Sequence, residues 1–365
     1  MRRISIKMPA AVVDSLNEVP DSLMRTREAD DSGISNASLA LSPKEMLRAI
    51  LQSCPHLLRI DISGVAPSSL LPPSPARLAA SLAHLHQLRF QSVTSLFLFS
   101  PVGGNAITAT EVRAALLCLN GLRHLGITGY VHSATPLSLS LPNRTPTGLL
   151  ARPLPIRARK LRLRSLRIIN SSFDATDLAA LISHISPGSL EELVVEEVHS
   201  PATGFAPTLV ALPSLAPHLA SIKILRVALY NYPSARPGTI DEILPQLRAL
   251  ETLDLGGNVC SEGVLGLLPP SVRVLRLRGT PALSAPVVRN FLAKLAAQKK
   301  SFGLAGGGGM RKRRGDSKRA EEWEECARLS RLEVLGGATS GWGESGKVWD
   351  VQRTCWDAGV VWRGW

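Results

Sequence analysis

One spacing of apolar residues recurs along the chain and limits the folds that it can adopt. The spacing reads apolar, two residues, apolar, one residue, apolar, and it occurs eight times between Leu57 and Leu277, with a ninth copy at Leu329-x-x-Leu332-x-Val334. The first eight copies begin at Leu57, Val93, Leu122, Leu163, Leu190, Ile222, Leu250 and Val272. Each copy ends in an alternation of period two, which is typical of a short strand with one buried face. The sequence therefore predicts eight or nine short strands.

The segments between these strands carry signals for helix starts. Ser42–Glu45 and Thr239–Glu242 have the capping-box pattern, Asp174 precedes a predicted helix over Ala175–Ile185, and Ser284 precedes one over Pro286–Gln298. Each unit is therefore predicted to run strand, turn, helix and return. Strands joined by such crossovers lie parallel to one another.

The spacing between copies, which varies from 22 to 57 residues, includes several values close to the leucine-rich repeat range of about 20–29. The fullest copy, Leu250-x-x-Leu253-x-Leu255-x-x-Asn258-x-Cys260, resembles the consensus of the ribonuclease-inhibitor-like leucine-rich repeat family. The long, irregular repeats are similar to those of fungal F-box/leucine-rich repeat proteins, although no F-box pattern is recognised in residues 1–41. The resemblance implies an α/β horseshoe-shaped solenoid with a concave parallel sheet and convex helices. It also implies that the Asn258 side chain bonds backbone groups at its turn.

The distribution of charge separates the array from its flanks. The chain has 42 Lys+Arg and 29 Asp+Glu, a formal net charge of +13, and residues 299–319 hold eight bases and one acid, or +7 of that total. We expect a largely disordered extension over 1–41 and a repeat array over 42–298. A basic, Gly-rich disordered insertion over 299–318 and a last repeat with a Trp-rich cap over 319–365 complete the predicted organisation.

Two rows of charged residues are predicted to cross the sheet. The residue after the first apolar position of copies four to eight is in turn Arg164, Glu191, Lys223, Glu251 and Arg273. Three residues further on, the same copies have Arg167, Val194, Arg226, Asp254 and Arg276. One interpretation is a ladder of cross-strand ion pairs that stabilises the fold. The other is a concave surface that recognises a protein segment of mixed charge, whereas a phosphate track would need charge of one sign.

Two functions from different classes are compatible with these features. The first is a non-enzymatic scaffold that binds a protein partner on the concave face. The F-box resemblance extends this hypothesis to substrate recognition for a ubiquitin ligase that includes a cullin adaptor. The alternative is a nuclear, nucleic-acid-associated protein acting through residues 299–319, with a candidate localisation signal at Arg311, Lys312, Arg313 and Arg314. Five widely spaced cysteines without a C-x-x-C pair favour a reducing compartment, the cytoplasm or the nucleus.

No motif points to catalysis, a cofactor or a membrane span. The histidines form neither an H-E-x-x-H motif nor zinc-ligand spacing, and Gly341–Lys347 resembles a P-loop only in part because Val348 replaces the magnesium-binding Ser or Thr. We therefore predict a protein that is not an enzyme and uses no cofactor or metal. No run of 18 uncharged apolar residues occurs, so no transmembrane helix is predicted.

Tryptophan is concentrated at the carboxyl end, where five of the six tryptophans lie in the last 24 residues. Trp349 and Trp356 are seven positions apart and would share one face of a helix over Lys347–Ala358. We expect a terminal cap that buries these rings and covers the open end of the array. A helix that binds a membrane surface or a partner is the alternative.

Overall fold

A computed structural model describes residues 3–7, 58–63, 93–99, 121–131, 160–173, 175–199, 214–230, 240–306, 329–335, 342 and 345–364, together with positions 107, 109, 112, 116 and 119. The chain divides into two compact units, Met1–Leu163 and Arg164–Trp365. The predicted helix that begins at Ser42 lies outside the described residues.

The first unit contains four parallel strands that pair in the order of the sequence. They are β1 (Arg3–Lys7), β2 (Arg59–Ser63), β3 (Ser95–Phe99) and β4 (His124–Thr128). The apolar positions of the repeat face the interior, where Leu96, Leu98, Leu125 and Ile127 are buried. An isolated parallel bridge joins Ile107 to Tyr130 after β4.

The second unit contains seven strands, again parallel and in sequence order. They are β5 (Ser165–Ser172), β6 (Glu192–His199), β7 (Ile224–Leu229), β8 (Thr252–Gly257), β9 (Val274–Arg278), β10 (Arg331–Leu335) and β11 (Val361–Gly364). All three apolar positions of each repeat copy from Leu163 to Val334 are buried. The parallel strand order is therefore confirmed in both units, the predicted α/β class is confirmed in the second unit, and all nine predicted strands are present.

The strand starts are held in register by a repeated hydrogen-bond pattern. The carbonyl of Arg164 accepts from the backbone N–H groups of Glu191 and Glu192, at 2.8 and 2.9 Å. The carbonyls of Glu191, Lys223, Glu251 and Arg273 accept in the same way from the residue before the next strand and from the first residue of that strand. These bonds align the residue before each strand with its counterpart in the neighbouring repeat.

In the returns that the structure describes, two of the predicted helices are present and a third is not. The helix after Asp174 is confirmed as α1 (Ala175–Ser183), and the one after Ser284 is confirmed as α2 (Ala285–Gly306), which continues into the segment predicted to be a disordered insertion. By contrast, the capping box at Thr239–Glu242 leads only into turns and a 3₁₀ helix over Leu244–Gln246. Pro245 explains the difference, since a proline ring cannot continue an α-helix.

Short 3₁₀ segments also replace helices elsewhere, over Ala216–Ser221 and Glu262–Leu267. In one case, hydrogen bonds join the return before β8 to the return after it. The Asp241 carboxylate accepts from both the backbone N–H and the hydroxyl of Ser261, and the Ser261 hydroxyl in turn accepts from the N–H of Gly263.

The carboxyl end folds as α3 (Ser345–Asp357) followed by β11. Trp342 is buried, donates from Nε1 to the Leu283 carbonyl at 2.9 Å, and stacks on Trp362 with ring centroids 6.2 Å apart. Trp349 and Trp356 share one face of α3 as predicted, but they are 66% and 77% exposed. The expectation that the cap buries these two rings is therefore wrong, because α3 packs through Val351 and Cys355 on its opposite side.

Candidate functional site

The strands of the second unit present a row of charged residues on the side of the sheet opposite the buried leucines. We call this side the outer face. Strand register brings seven residues together across it as the face row: Arg167, Val194, Arg226, Asp254, Arg276, Glu333 and Arg363. From Arg226 onward the sign alternates at every strand. The predicted alternation is thus present and extends two strands further than the sequence indicated.

A second row lies along the edge where the strands begin. We call Arg164, Glu191, Lys223, Glu251 and Arg273 the edge row, and each member is the residue immediately before its strand. Glu191 lies between two cations, with Arg164 Nε at 3.8 Å and Lys223 Nζ at 3.3 Å from its carboxylate oxygens. Glu251 and Arg273 are exposed and form no ion pair with any residue that the structure describes.

Ion pairs on the outer face run diagonally as well as along the rows. Arg167 Nη2 lies 2.7 Å from Glu192, whose carboxylate also accepts from the Ser165 hydroxyl at 2.6 Å. Arg226 Nη2 lies 2.6 Å from Glu196. Glu192 and Glu196 lie two residues before and two residues after Val194 on β6, and therefore on the same side of the sheet as the face row. Neither glutamate was predicted from the sequence, although the period of two along β6 places both on this face.

The part of the outer face formed by β7, β8 and β9 is centred on Asp254, which is only 2% exposed. Arg278 Nη2 donates to Asp254 Oδ2 at 2.8 Å, and Arg226 Nε is 3.8 Å from the same oxygen. Burial raises the pKa of the Asp254 carboxyl, and the nearby Arg278 and Arg226 guanidinium groups only partly oppose this shift. Arg278 was also missed by the sequence analysis.

The next pair along the face row joins residues that are far apart in the sequence. Arg276 Nε donates to Glu333 Oε2 at 2.7 Å, and Arg331 Nη1 lies 3.6 Å from the other oxygen of that carboxylate. Glu333 is almost fully buried beneath the two guanidinium groups. Asp254 and Glu333 therefore act as acidic centres between arginines.

Small residues beside Asp254 leave room for an aromatic ring. A Cβ atom on Gly256 would lie 2.5 Å from the Tyr230 hydroxyl and 2.7 Å from Cβ of Ala228, so only glycine fits there. The Tyr230 backbone N–H donates to Glu197 Oε1 at 2.7 Å, and burial of the phenol raises its pKa. The ring is nevertheless 46% exposed, which makes it an accessible aromatic side chain at the margin of the charged surface.

A strip of uncharged residues separates the two charged rows on the central strands. Ile224, Thr252 and Val274 are register partners on β7, β8 and β9. Ile224 is 39% exposed and the other two are half-buried. The strip is therefore an accessible surface without charge, between the edge row and the face row.

The predicted localisation signal, Arg311, Lys312, Arg313 and Arg314, lies outside the described residues. The start of the basic segment is described, and there Lys299 Nζ donates to the Ala358 carbonyl at 2.7 Å. Burial lowers the pKa of Lys299. This lysine therefore joins α2 to the end of α3.

Other kinds of site receive no support from the described part of the chain. No group of three His, Cys, Asp or Glu side chains there is arranged to hold a metal ion. No helix in the same residues is both long enough and apolar enough to cross a membrane. At the turn after β8, where the resemblance places a bonding role for Asn258, its backbone N–H donates to the Leu229 carbonyl at 3.3 Å.

Comparison with known proteins returns no relative, since neither a family model nor a curated protein matches the chain.

Proposed function

We propose that this chain is a leucine-rich repeat protein of the ribonuclease-inhibitor-like type that binds another protein on its outer face. In this proposal the outer face of β5–β11 is the concave surface of the solenoid. The proposal rests on the uncharged strip and on the two charged residues beside it. Ile224 and Val274 offer apolar contact, while Glu251 and Arg273 have no ion-pair partner among the described residues.

The arrangement of charge favours protein over nucleic acid as the ligand. Acids and bases alternate along the edge row and, from Arg226 onward, along the face row. Two of the acids, Asp254 and Glu333, hold arginines that a phosphate backbone would otherwise engage. A nucleic-acid surface gains affinity by releasing counterions from a run of bases, and interposed carboxylates reduce that gain. A protein segment of mixed charge faces no such penalty.

Substrate recognition for a ubiquitin ligase is the sharper form of the proposal, and its support is the resemblance to F-box/leucine-rich repeat proteins. In that form the outer face holds the substrate and a separate part of the protein contacts a cullin adaptor. Co-purification of a cullin adaptor with the full chain would support this extension, and its absence from purified complexes would limit the function to binding alone.

Site-specific photo-crosslinking tests the binding face. A photoreactive amino acid at Ile224 should capture a cellular protein, whereas the same group at Glu262, an exposed residue of the return after β8, should not. Combining the Ile224 probe with Glu251→Lys and Arg273→Glu should abolish capture. Equal capture from both positions, or a product that nuclease removes, would contradict protein binding on this face.

A further inference from the structure

The outward side of α3 is built as an exposed aromatic face. On a helix of 100° per residue, Trp349 and Trp356 point within about 20° of each other. Arg353 lies between them along the helix axis. Val351 and Cys355, on the opposite side, are fully buried. The two tryptophans are the most exposed large apolar residues that the structure describes, at 66% and 77%. Exposed aromatic area of this kind marks an interaction site.

We propose that this face binds α3 of a second copy of the same chain, with the two helices antiparallel about a twofold axis. The midpoint between the tryptophans falls between Gln352 and Arg353. Antiparallel pairing about this midpoint sets Trp349 of one copy opposite Trp356 of the other, at both ends of the contact. A surface that matches itself in this way is what a twofold interface requires.

The charges beside the tryptophans are also self-complementary. Arg353 and Asp350 lie on the same flank of the aromatic face, about 40° and 100° from Trp349. In the antiparallel arrangement, Arg353 of one copy comes within about 3 Å along the helix axis of Asp350 of the other. The Asp350 side chain is 60% exposed although it lies 3.6 Å from Arg289, so it is accessible to a second partner.

The acidic residues distinguish a second copy from a membrane as the occupant. Asp350 and Asp357 border the tryptophans and would be repelled by the anionic headgroups that attract basic, Trp-bearing helices. In a pair of helices the Asp350 carboxylate lies near Arg353 of the other copy. The proposed dimer thus uses charges that a lipid surface would disfavour.

The area of the exposed aromatic face indicates how strongly two copies should associate. Four tryptophans, two from each copy, would bury on the order of 600 Å². This is about half of the area at which standard interfaces begin, so the pairing is weak and transient. We expect a dissociation constant on the order of 10–100 μM.

Analytical ultracentrifugation of the full chain at about 150 mM salt tests the proposal. The weight-average mass should rise above the monomer mass of 39.1 kDa as concentration increases through the micromolar range. Trp349→Ala with Trp356→Ala should remain monomeric, while Val131→Ala, which removes an exposed apolar side chain of the first unit, should associate like the unmodified chain. Circular dichroism checks that each variant is folded.

Exchanging the charges distinguishes specific pairing of the two helices from non-specific association. Arg353→Asp should weaken association at least about fivefold, and adding Asp350→Arg to it should restore much of the loss. A chain that stays monomeric, or a dimer that survives the double tryptophan substitution, would overturn the proposal. Cosedimentation of the monomer with phosphatidylserine-containing vesicles, lost in the tryptophan variant, would assign the face to a membrane instead.

Discussion

Arg278 donates a 2.8 Å hydrogen bond to Asp254 although the two residues are not register partners. Strand register sets Asp254 opposite Arg276, and sets Arg278 opposite Gly256. Because Gly256 has no side chain, the Arg278 guanidinium reaches diagonally across the position to the carboxylate. The outer face is thus organised around two nearly buried acids, Asp254 with a diagonal contact and Glu333 with a contact to its direct register partner Arg276.

Replacing Asp254 with Asn should not destabilise the protein at neutral pH. Burial raises the pKa of this carboxyl in the folded state above its usual 3.8, so the folded chain holds the proton more tightly than the unfolded chain. Its contribution to stability is therefore greatest at acidic pH and is lost as pH rises through the folded pKa. Urea unfolding of both proteins from pH 4 to 8 should show the parent losing stability relative to Asp254→Asn as pH rises, and a marked loss of stability in Asp254→Asn at pH 7 would refute the account.

Glu333→Ala should cost more stability than Glu251→Ala. Glu333 is nearly buried and accepts from Arg276 at 2.7 Å, so its removal leaves two guanidinium groups without their shared acceptor. We expect a loss of about 1–3 kcal/mol in the free energy of unfolding. Glu251→Ala, at an exposed position without an ion pair to any described residue, is the matched control and should change stability by less than about 0.5 kcal/mol. Equal effects in denaturant titrations would contradict the ion-pair network described above.

Gly256→Val should destabilise the sheet by displacing Tyr230. The new side chain would collide with the Tyr230 hydroxyl and with Ala228, at a cost of about 1–3 kcal/mol. The cost should be smaller in a Tyr230→Ala background, because one of the two collisions is then removed. A double-mutant cycle measured by thermal unfolding reports this coupling, and additive effects would show that the ring does not occupy the space above Gly256.

The buried thiols Cys260 and Cys355 should be unreactive in the folded protein. Burial raises the pKa of each to about 12, so almost no thiolate forms at pH 8. Mass spectrometry after brief treatment with iodoacetamide should find both unmodified in buffer and both alkylated in urea. Rapid modification of either under native conditions would be inconsistent with the packing of β8 and α3.

Local sequence was sufficient to predict the strands, because each repeat copy carries its own buried positions. Leu163, Leu166 and Ile168 fix β5 without reference to any other part of the chain. The pattern fails at the two ends. Arg3–Lys7 matches only the final alternation of the repeat, and Val361–Gly364 departs from the repeat pattern, so β1 and β11 were not predicted.

Contacts that depend on which strands become neighbours were only partly predictable. The alternation of Lys223, Glu251 and Arg273 was visible because these residues occupy equivalent repeat positions. The Arg276–Glu333 pair spans 57 positions in the sequence, and it requires that β10 follow β9 directly in the sheet. The exposure of Trp349 could not be predicted either, since it depends on which side of α3 packs against the rest of the unit.

Quantitative affinity purification tests the central claim, that the outer face of β5–β11 binds a protein. The tagged full chain, the variant with Glu251→Lys and Arg273→Glu, and the control Glu262→Lys would be recovered from the native cells with and without nuclease, and partners identified by mass spectrometry. We predict nuclease-resistant protein partners that are retained by the control and lost from the double charge reversal. Partners that disappear with nuclease, or that all three proteins retain equally, would contradict the claim.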